Sequence, residues 1–492
     1  MIQLPTVRPG ASTSLVTTQV AQPSYEITDA DKARIAIIQA AWKAYHGQLD
    51  EPLTKMNGQP NDNVMSNRCQ PPVDRGADFL FGKPVEIMIE RGGNETMQAF
   101  LDKTWGKTEA RLPLLQKFSK SGGVAGQAFL RVMPEKNNTF RLIVVDPSTI
   151  SVQTAAQDCE TVELYCIEYS TTEKINNKDA TVYYREEIVR IDPDNDGDDG
   201  DPFADVDATW EIRHWKRIGD RGNWAEIGGM IKWEYNFPPL FSNQNLDEPH
   251  SFWGMSDITP DYIGMNTALN LIMSIINRTN KLYGQPILFA TGVAESVFDI
   301  QPGRIIGLPT DQSKIMAVNF TSDLTNALAF AESIRMSMDE QSAISAAMST
   351  GKTMPRALSG ITMELLFMPI IQKTEKKRCL YGKTIIDVSK ALLVLAGYIQ
   401  HVDEVDITLT WQAMLPNDDL QSAQTAMAKK SVGVSTETLL SELGYDADDE
   451  MERSQEEYQQ ELVNATRGRG LPPVSYLQPG QDPMAQQGGG QQ

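Results

Sequence analysis

Two Gly-Lys-Thr triplets, at 351–353 and 382–384, come nearest in this chain to nucleotide chemistry. A phosphate-cradling loop needs a further glycine five positions ahead of the triplet, so that successive backbone N–H groups curl around the phosphates. Those positions hold Ala346 and Lys377, so neither triplet qualifies. Gly122-Gly123-Val124-Ala125-Gly126 lacks the full dinucleotide fingerprint and reads as a helix-to-strand turn. The run from Asp192 to Gly197 places Asp192, Asp194 and Asp196 at the spacing of the first half of a calcium loop. Its twelfth position is Phe203 instead of a bidentate glutamate. The run therefore reads first as a solvated acidic hairpin tip, with incidental calcium or magnesium binding as the alternative.

Other chemistry lacks its spacing. His46, His214, His250 and His401 are far apart, with no HExxH, and no GxSxG elbow supports a nucleophile. Cys69, Cys159, Cys166 and Cys379 form no CxxC and no disulfide framework, which suits a reducing, intracellular assembly environment. No catalytic residue and no cofactor is assigned, and the chain is not expected to be an enzyme. Two basic groups remain. Lys373, Lys376, Lys377 and Arg378 read as an exposed helix face pairing with acidic neighbours, with phosphate contact as the alternative. Ser349 to Gly360 is a short loop with Lys352 and Arg356 and no acid. Methionines 316, 336, 338, 348, 354, 363 and 368 read as adaptable packing between helices and at subunit contacts.

The chain that must position these groups has 492 residues, with 44 Lys+Arg against 65 Asp+Glu and a net charge of −21. That balance argues against a protein that coats DNA, which must displace counterions with positive surface, but not against one that lets DNA pass. The N-terminus shows no charged-then-apolar signal pattern, and the longest apolar stretch, Ala391 to Ile399, is too short to span a bilayer. A soluble protein is expected.

Residues 1–27, rich in Pro, Ser, Thr and Gln, read as a loose arm. A helix follows, capped by Thr28 or Asp29, with Ile35, Ile38, Trp42 and Tyr45 on its apolar face. A second helix starts near Asn67 or Pro72 and stops at Gly82-Lys83-Pro84. Val85 to Ile89 alternates like a strand, and Leu112 to Ser121 reads as a helix closed by Gly122-Gly123. Short β-type runs then fill the chain to Tyr235, so the first half is α+β around an antiparallel sheet.

Thr259-Pro260-Asp261 opens a long helix that Gly284 and Pro286 stop, roughly 36 Å in length. Ile263, Leu269, Ile272, Met273 and Ile276 mark its apolar face. A β-rich insert follows over 286–320. A second long helix, on the order of 39 Å, runs from after Thr321 or Ser322 to about Met348. Helical pattern resumes from Ile361 to about Tyr398, where Pro369 removes a backbone donor and predicts a kink. Val405 to Trp411 reads as a strand. Asn417 and Ser435 cap two short helices, an acidic helix spans 448–463, and low-complexity tail follows Thr466.

From about Asp31 to Glu461 this pattern resembles bacteriophage portal proteins, in particular the SPP-type siphophage portal family. The resemblance rests on several stretches in order. They are Asn67-Arg68 with Val73-Asp74 and Phe81 to Val85, then Gly254 to Ile258, Ser359-Gly360, Leu415 to Asp418, and Ser435 to Leu439. It implies an α+β, portal-type fold: an N-terminal arm (1–27), a wing (28–255, returning through the kinked helix of 361–416), and a stem of two helices (256–285 and 321–348). A clip (286–320), a tunnel loop (349–360), a helical crown (417–465) and a tail (466–492) complete it.

The resemblance further implies a dodecameric ring at a unique capsid vertex of the virion, assembled in the bacterial cytoplasm, through which double-stranded DNA is packaged and ejected. Implied partners are the terminase large subunit, then a head-completion adaptor, together with the major capsid protein and scaffold. No membrane is among them. Lys352, Thr353, Met354 and Arg356 would contact DNA, and Gln301, Arg304, Asp311 and Lys314 would meet partners at the clip. One departure is that Met363-Glu364 follows the Ser-Gly pair where relatives often carry a basic residue. The other classes are a packaging ATPase or nuclease, whose phosphate loop is incomplete here, and a ring-forming tail or baseplate protein, which would not need a basic loop between long helices.

Overall fold

The computed structural model describes residues 23–55, 61–136, 139–175, 177–191, 208–284, 287–291, 314–318, 324–343, 360–414, 419–442, 450–451 and 453. Helix α1 (Asp29–Tyr45) starts in a reciprocal capping box, in which the Thr28 side chain accepts from the Asp31 backbone and Asp31 accepts from the Thr28 N–H. Helix α2 (Gln70–Phe81) begins with proline in its first turn, where a missing N–H costs nothing. Strand β1 (Val85–Arg91) leads to α3 (Glu95–Trp105), a helix that the sequence reading missed. Its signals are an Asn94 cap and Met97, Leu101 and Trp105 at four-residue spacing, all buried.

Helix α4 (Leu112–Ala125) continues through Gly122 and Gly123, which were expected to end it. The chain turns instead at Gly126, whose φ of 83° places it in the left-handed region favoured by glycine. A Cβ on Gly123 would lie 2.9 Å from the Asp257 carboxylate. Close approach of a neighbour, rather than a turn, explains glycine inside this helix.

The strands β2 (Gln127–Pro134), β3 (Phe140–Val145) and β10 (Leu240–Gln244) form a three-stranded sheet in the order β10-β2-β3. The largest sheet is built from β4 (Ile150–Thr154), β5 (Val162–Ile175), β6 (Lys178–Ile191), β7 (Thr209–Ile218), β8 (Ala225–Glu226) and β9 (Ile231–Trp233). Its pairings are antiparallel. The fold class is α+β, as expected.

Helix α5 (Pro260–Gly284) has the expected bounds, about 37 Å of helix. The β insert contains β11 (Ile287–Thr291) and β12 (Lys314–Val318), antiparallel with Thr291 opposite Lys314. Helix α6 (Thr325–Gln341) closes at Ser342, about 26 Å long and clearly shorter than the expected run to Met348. Helix α7 (Gly360–Leu395) carries Pro369 within it, and β13 (Asp406–Trp411) returns to pair with β1. The chain divides after Met414 into two compact units. In the second, α8 (Asp419–Val432) and α9 (Thr436–Glu442) pack on each other, with the Ser435 hydroxyl accepting from the Thr438 N–H. The acidic helix at 448–463 lies largely outside the described residues.

One core of the first unit gathers Phe81, Phe118, Tyr381, Ile385 and Leu392 from α2, α4 and α7 with inward residues of β1, β2 and β13. A second joins Ala41, Val73, Val124, Tyr262, Leu269, Ala331 and Met338, so that α5 and α6 share their buried faces with α1, α2 and α4. The first notable polar feature lies between these cores. Asp257 lies in the loop before α5 with its side chain 1% exposed; Lys377 of α7 donates to its Oδ2 at 2.6 Å, and Lys373 forms an ion pair with Oδ1 at 2.8 Å. Lys373 and Lys377 were expected on an exposed face, but Lys377 is itself 1% exposed. Their shared partner is 120 residues away from Lys377 in sequence, beyond any local pattern.

Burial pushes the Asp257 carboxyl up, yet Lys377 and Lys373 together outweigh burial and hold it below the ordinary aspartate range. A carboxyl lowered on folding stabilises fully above its unfolded pKa and loses that contribution as pH falls through its folded one. Stability is therefore expected to decline on acidification below about pH 4. Asp257→Asn should cost about 3–5 kcal/mol in urea unfolding, since two ammonium groups lose their counter-charge, and should flatten that acid dependence. Lys377→Met, which keeps one pair, should cost less.

Candidate functional site

The α5–α6 pair is the element in which one face is fixed and another is left open. Its fixed face begins with a run of polar residues, Asn266, Asn270, Ser274, Asn277 and Arg278, along an otherwise apolar helix. An extended segment, residues 62–68, lies along them. The Oδ1 of Asn266 accepts from the Arg68 N–H at 3.3 Å, that of Asn270 from the Ser66 N–H at 2.9 Å, and the Ser274 hydroxyl from the Val64 N–H at 2.9 Å. Asn277 donates to the Asp62 carbonyl at 2.7 Å.

Geometry explains the repeat. Four helical residues rise about 6 Å and two extended residues about 6.6 Å, so every fourth side chain of α5 meets every second N–H of the strap. The ends are fixed differently. Arg278 grips the Asp62 carboxylate at 2.6 and 2.9 Å, and the Tyr262 hydroxyl donates to the Arg68 carbonyl at 3.1 Å. Asn266 and Ser274 are fully buried and Asn270 is 2% exposed, so each rung forms away from water. Sequence reasoning missed this ladder. Its signal was polar residues at four-residue spacing flanking the apolar face, a pattern easily taken for the edge of a solvated side.

The α5 base is equally constrained. Loop 254–258 is sewn to the end of α4: the Asp257 N–H donates to the Gly123 carbonyl, and the Ser256 hydroxyl to the carbonyls of Gly123 and Val124. Arg68 and Arg335 both pair with Asp339 of α6, at 3.6 and 3.5 Å. Cys69 is sealed in the same core; burial pushes its thiol up to about 12, so it behaves as a small apolar side chain.

The open face carries different residues. On α5, Gly264, Thr267, Leu271 and Ile275 are exposed at spacings of three and four, and Ile275 is 45% exposed. On α6, Leu328, Phe330 and Met336 are exposed, Phe330 to 60%. Apolar side chains repeating along exposed helices signify a surface made for contact.

The expected site residues are placed as follows. Lys352, Thr353, Met354 and Arg356 of the basic loop lie outside the described residues, as do Gln301, Arg304 and Asp311 and the acidic run with Asp192, Asp194 and Asp196. Lys314 opens β12. The Gly-Lys-Thr triplet at 382–384 is helical, within α7, with Gly382 and Thr384 buried. Among the described residues no cluster of His, Cys, Asp or Glu is arranged to hold a metal ion, and no helix is long and apolar enough to cross a membrane.

An α+β body carrying a seated helix pair with exposed apolar residues presents a surface built for contact with another protein surface. The chain belongs to the phage portal protein family of the SPP1 Gp6-like type, whose model matches residues 25–463. Among solved structures it is similar to a chain in the virion of a native gene transfer agent particle, at 12% identity, covering 83% of this chain and 93% of that one with a TM-score of 0.42. It is also similar to a chain in the neck of the native particle computed with C12 symmetry, at 12% identity, 76% and 90% coverage and a TM-score of 0.39. No curated protein sequence matches it.

If the ladder seats α5, Asn270→Ala should leave the Ser66 N–H without its partner and cost about 1–3 kcal/mol in urea unfolding. Amide exchange should then accelerate at residues 64–68 before it does in the large sheet. Unchanged protection there would mean that the strap is held by other contacts.

Proposed function

We propose that the chain is the subunit of a dodecameric portal ring at one capsid vertex, a conduit for double-stranded DNA during packaging and ejection. The observation that carries this reading is the pairing of a fixed and an open face on α5 and α6. A helix pair bound to its own body through Asn266, Asn270, Ser274 and Asp257 is rigid enough to present Leu271, Ile275, Phe330 and Met336 to a neighbour. A heterologous contact between different patches of successive copies closes into a ring when its rotation allows. In this reading residues 28–255 and 361–416 are the wing, 256–285 and 321–348 the stem, 286–320 the clip, 349–360 the tunnel loop and 417–465 the crown.

Lys352 and Arg356, with Thr353 and Met354 beside them, supply sequence-independent attraction to passing phosphates. The acidic balance elsewhere limits that grip, because like charge repels the duplex and lets it slide. The clip, with Gln301, Arg304, Asp311 and Lys314, meets the terminase large subunit during packaging and a head-completion adaptor afterwards. The wing faces the major capsid protein and scaffold.

Sedimentation of Ile275→Asp tests the interface. A charge buried without a partner should raise the subunit concentration needed for assembly at least about tenfold while leaving circular dichroism unchanged. Assembly identical to the parent protein would remove the α5 stripe from the interface. The loop is tested separately: Lys352→Ala with Arg356→Ala should leave rings intact but alter the length or retention of packaged DNA. Unchanged packaging and retention would contradict the tunnel-loop role.

A further inference from the structure

Among the described residues strand β1 pairs with β13 along one edge only, and the treatment of its other edge is unusual. The edge is met by side chains. The Gln98 amide of α3 donates from Nε2 to the Ile87 carbonyl at 2.8 Å and accepts at Oε1 from the Ile89 N–H at 3.1 Å. Arg111 donates to the Val85 carbonyl at 3.2 Å. One residue of a parallel strand makes the same pair of bonds, donating to one carbonyl and accepting from the N–H two residues on. Gln98 thus stands in for a single rung of a missing parallel neighbour.

The space beside that rung is open. A groove of about 560 Å³ runs along β1 and is lined by Glu86, Met88, Asn94, Glu95 and Gln98. Met88 is 52% exposed on the face that β1 turns to solvent. The charge at the rim has one sign. Arg111 is 3% exposed and spent on Asp102 and two carbonyls, whereas Glu86 and Glu95 pair with no cation among the described residues. A bare strand edge is an aggregation hazard, and a side-chain amide covers it while remaining replaceable.

We propose that the β1 edge is a strand-addition site for an extended, lysine- or arginine-bearing segment of a partner protein, and that Gln98 is the rung this segment displaces. Main-chain bonds to Ile87 and Ile89 supply the affinity, and alternate side chains of the segment meet Glu86 and Glu95, the general logic of β-augmentation. Sequence-independent backbone pairing with acidic selection makes the site one for a basic tail or linker and not for a folded surface.

The probe is a fluorescein-labelled nonapeptide of alternating lysine and valine, titrated into the full chain at low salt and followed by anisotropy. The peptide should bind, and Gln98→Ala should tighten it about fivefold, since no rung has to be displaced. Glu86→Gln with Glu95→Gln should weaken it, and a glutamate–valine peptide should not bind. N-methylation along one backbone edge of the lysine peptide should abolish binding. Equal binding by the N-methylated peptide would overturn strand addition and leave only charge attraction. No binding to either the parent chain or a folded Gln98→Ala variant would overturn the site.

Discussion

Asp257 sits where four elements of the first unit must agree. It begins the approach to α5, its backbone is bound to the end of α4, its carboxylate holds Lys373 and Lys377 of α7, and Gly76 of α2 faces the same cluster. A charge removed from water is expensive unless partners surround it, so this carboxylate tolerates little displacement of any of them. From that point α5 runs outward with the strap of residues 62–68 bound along its flank. Rigidity therefore extends from the core into the helix pair, which apolar packing alone would leave freer to shift. The exposed Leu271 and Ile275 of α5, with Phe330 and Met336 of α6, gain their meaning from this: a contact surface is specific only if its backing does not move.

The same physics explains which parts of the fold were legible. Thr259-Pro260 and Gly284 bracket α5 because a missing donor at its start and a breaker at its end act locally, and the capping box of α1 is written in adjacent residues. Glycines 122 and 123 were misleading, since propensity marks them as breakers while Tyr381 at 122, and Asp257 with Val73 at 123, demand their small size inside α4. Lys373 and Lys377 were read as a solvated face because their counter-ion is distant in sequence. The Asn266–Asn270–Ser274 ladder went unread for a related reason: its partners are backbone N–H groups, and these have no residue signature. The order of segments pointed to the portal family more surely than any one motif, and the family match over 25–463 agrees with that order.

A DNA conduit of the proposed kind, built from an acidic chain, needs a division of labour. Most of its surface has to keep the polyanion unbound, and a short basic segment is enough to touch it in passing. In the proposed ring, the stem gives fixed spacing between copies and the loop of 349–360 gives attraction to the passing duplex, and neither role requires catalytic groups. This accords with a family whose role is structural.

Cryo-electron microscopy of the purified full-length chain tests the central claim most directly. The account predicts closed rings in which α5 and α6 of one copy meet the next through Leu271, Ile275, Phe330 and Met336, around a channel of at least ~20 Å, wide enough for a duplex and its two grooves. Monomers at high concentration, or rings whose protomers touch elsewhere while these residues stay in solvent, would contradict it.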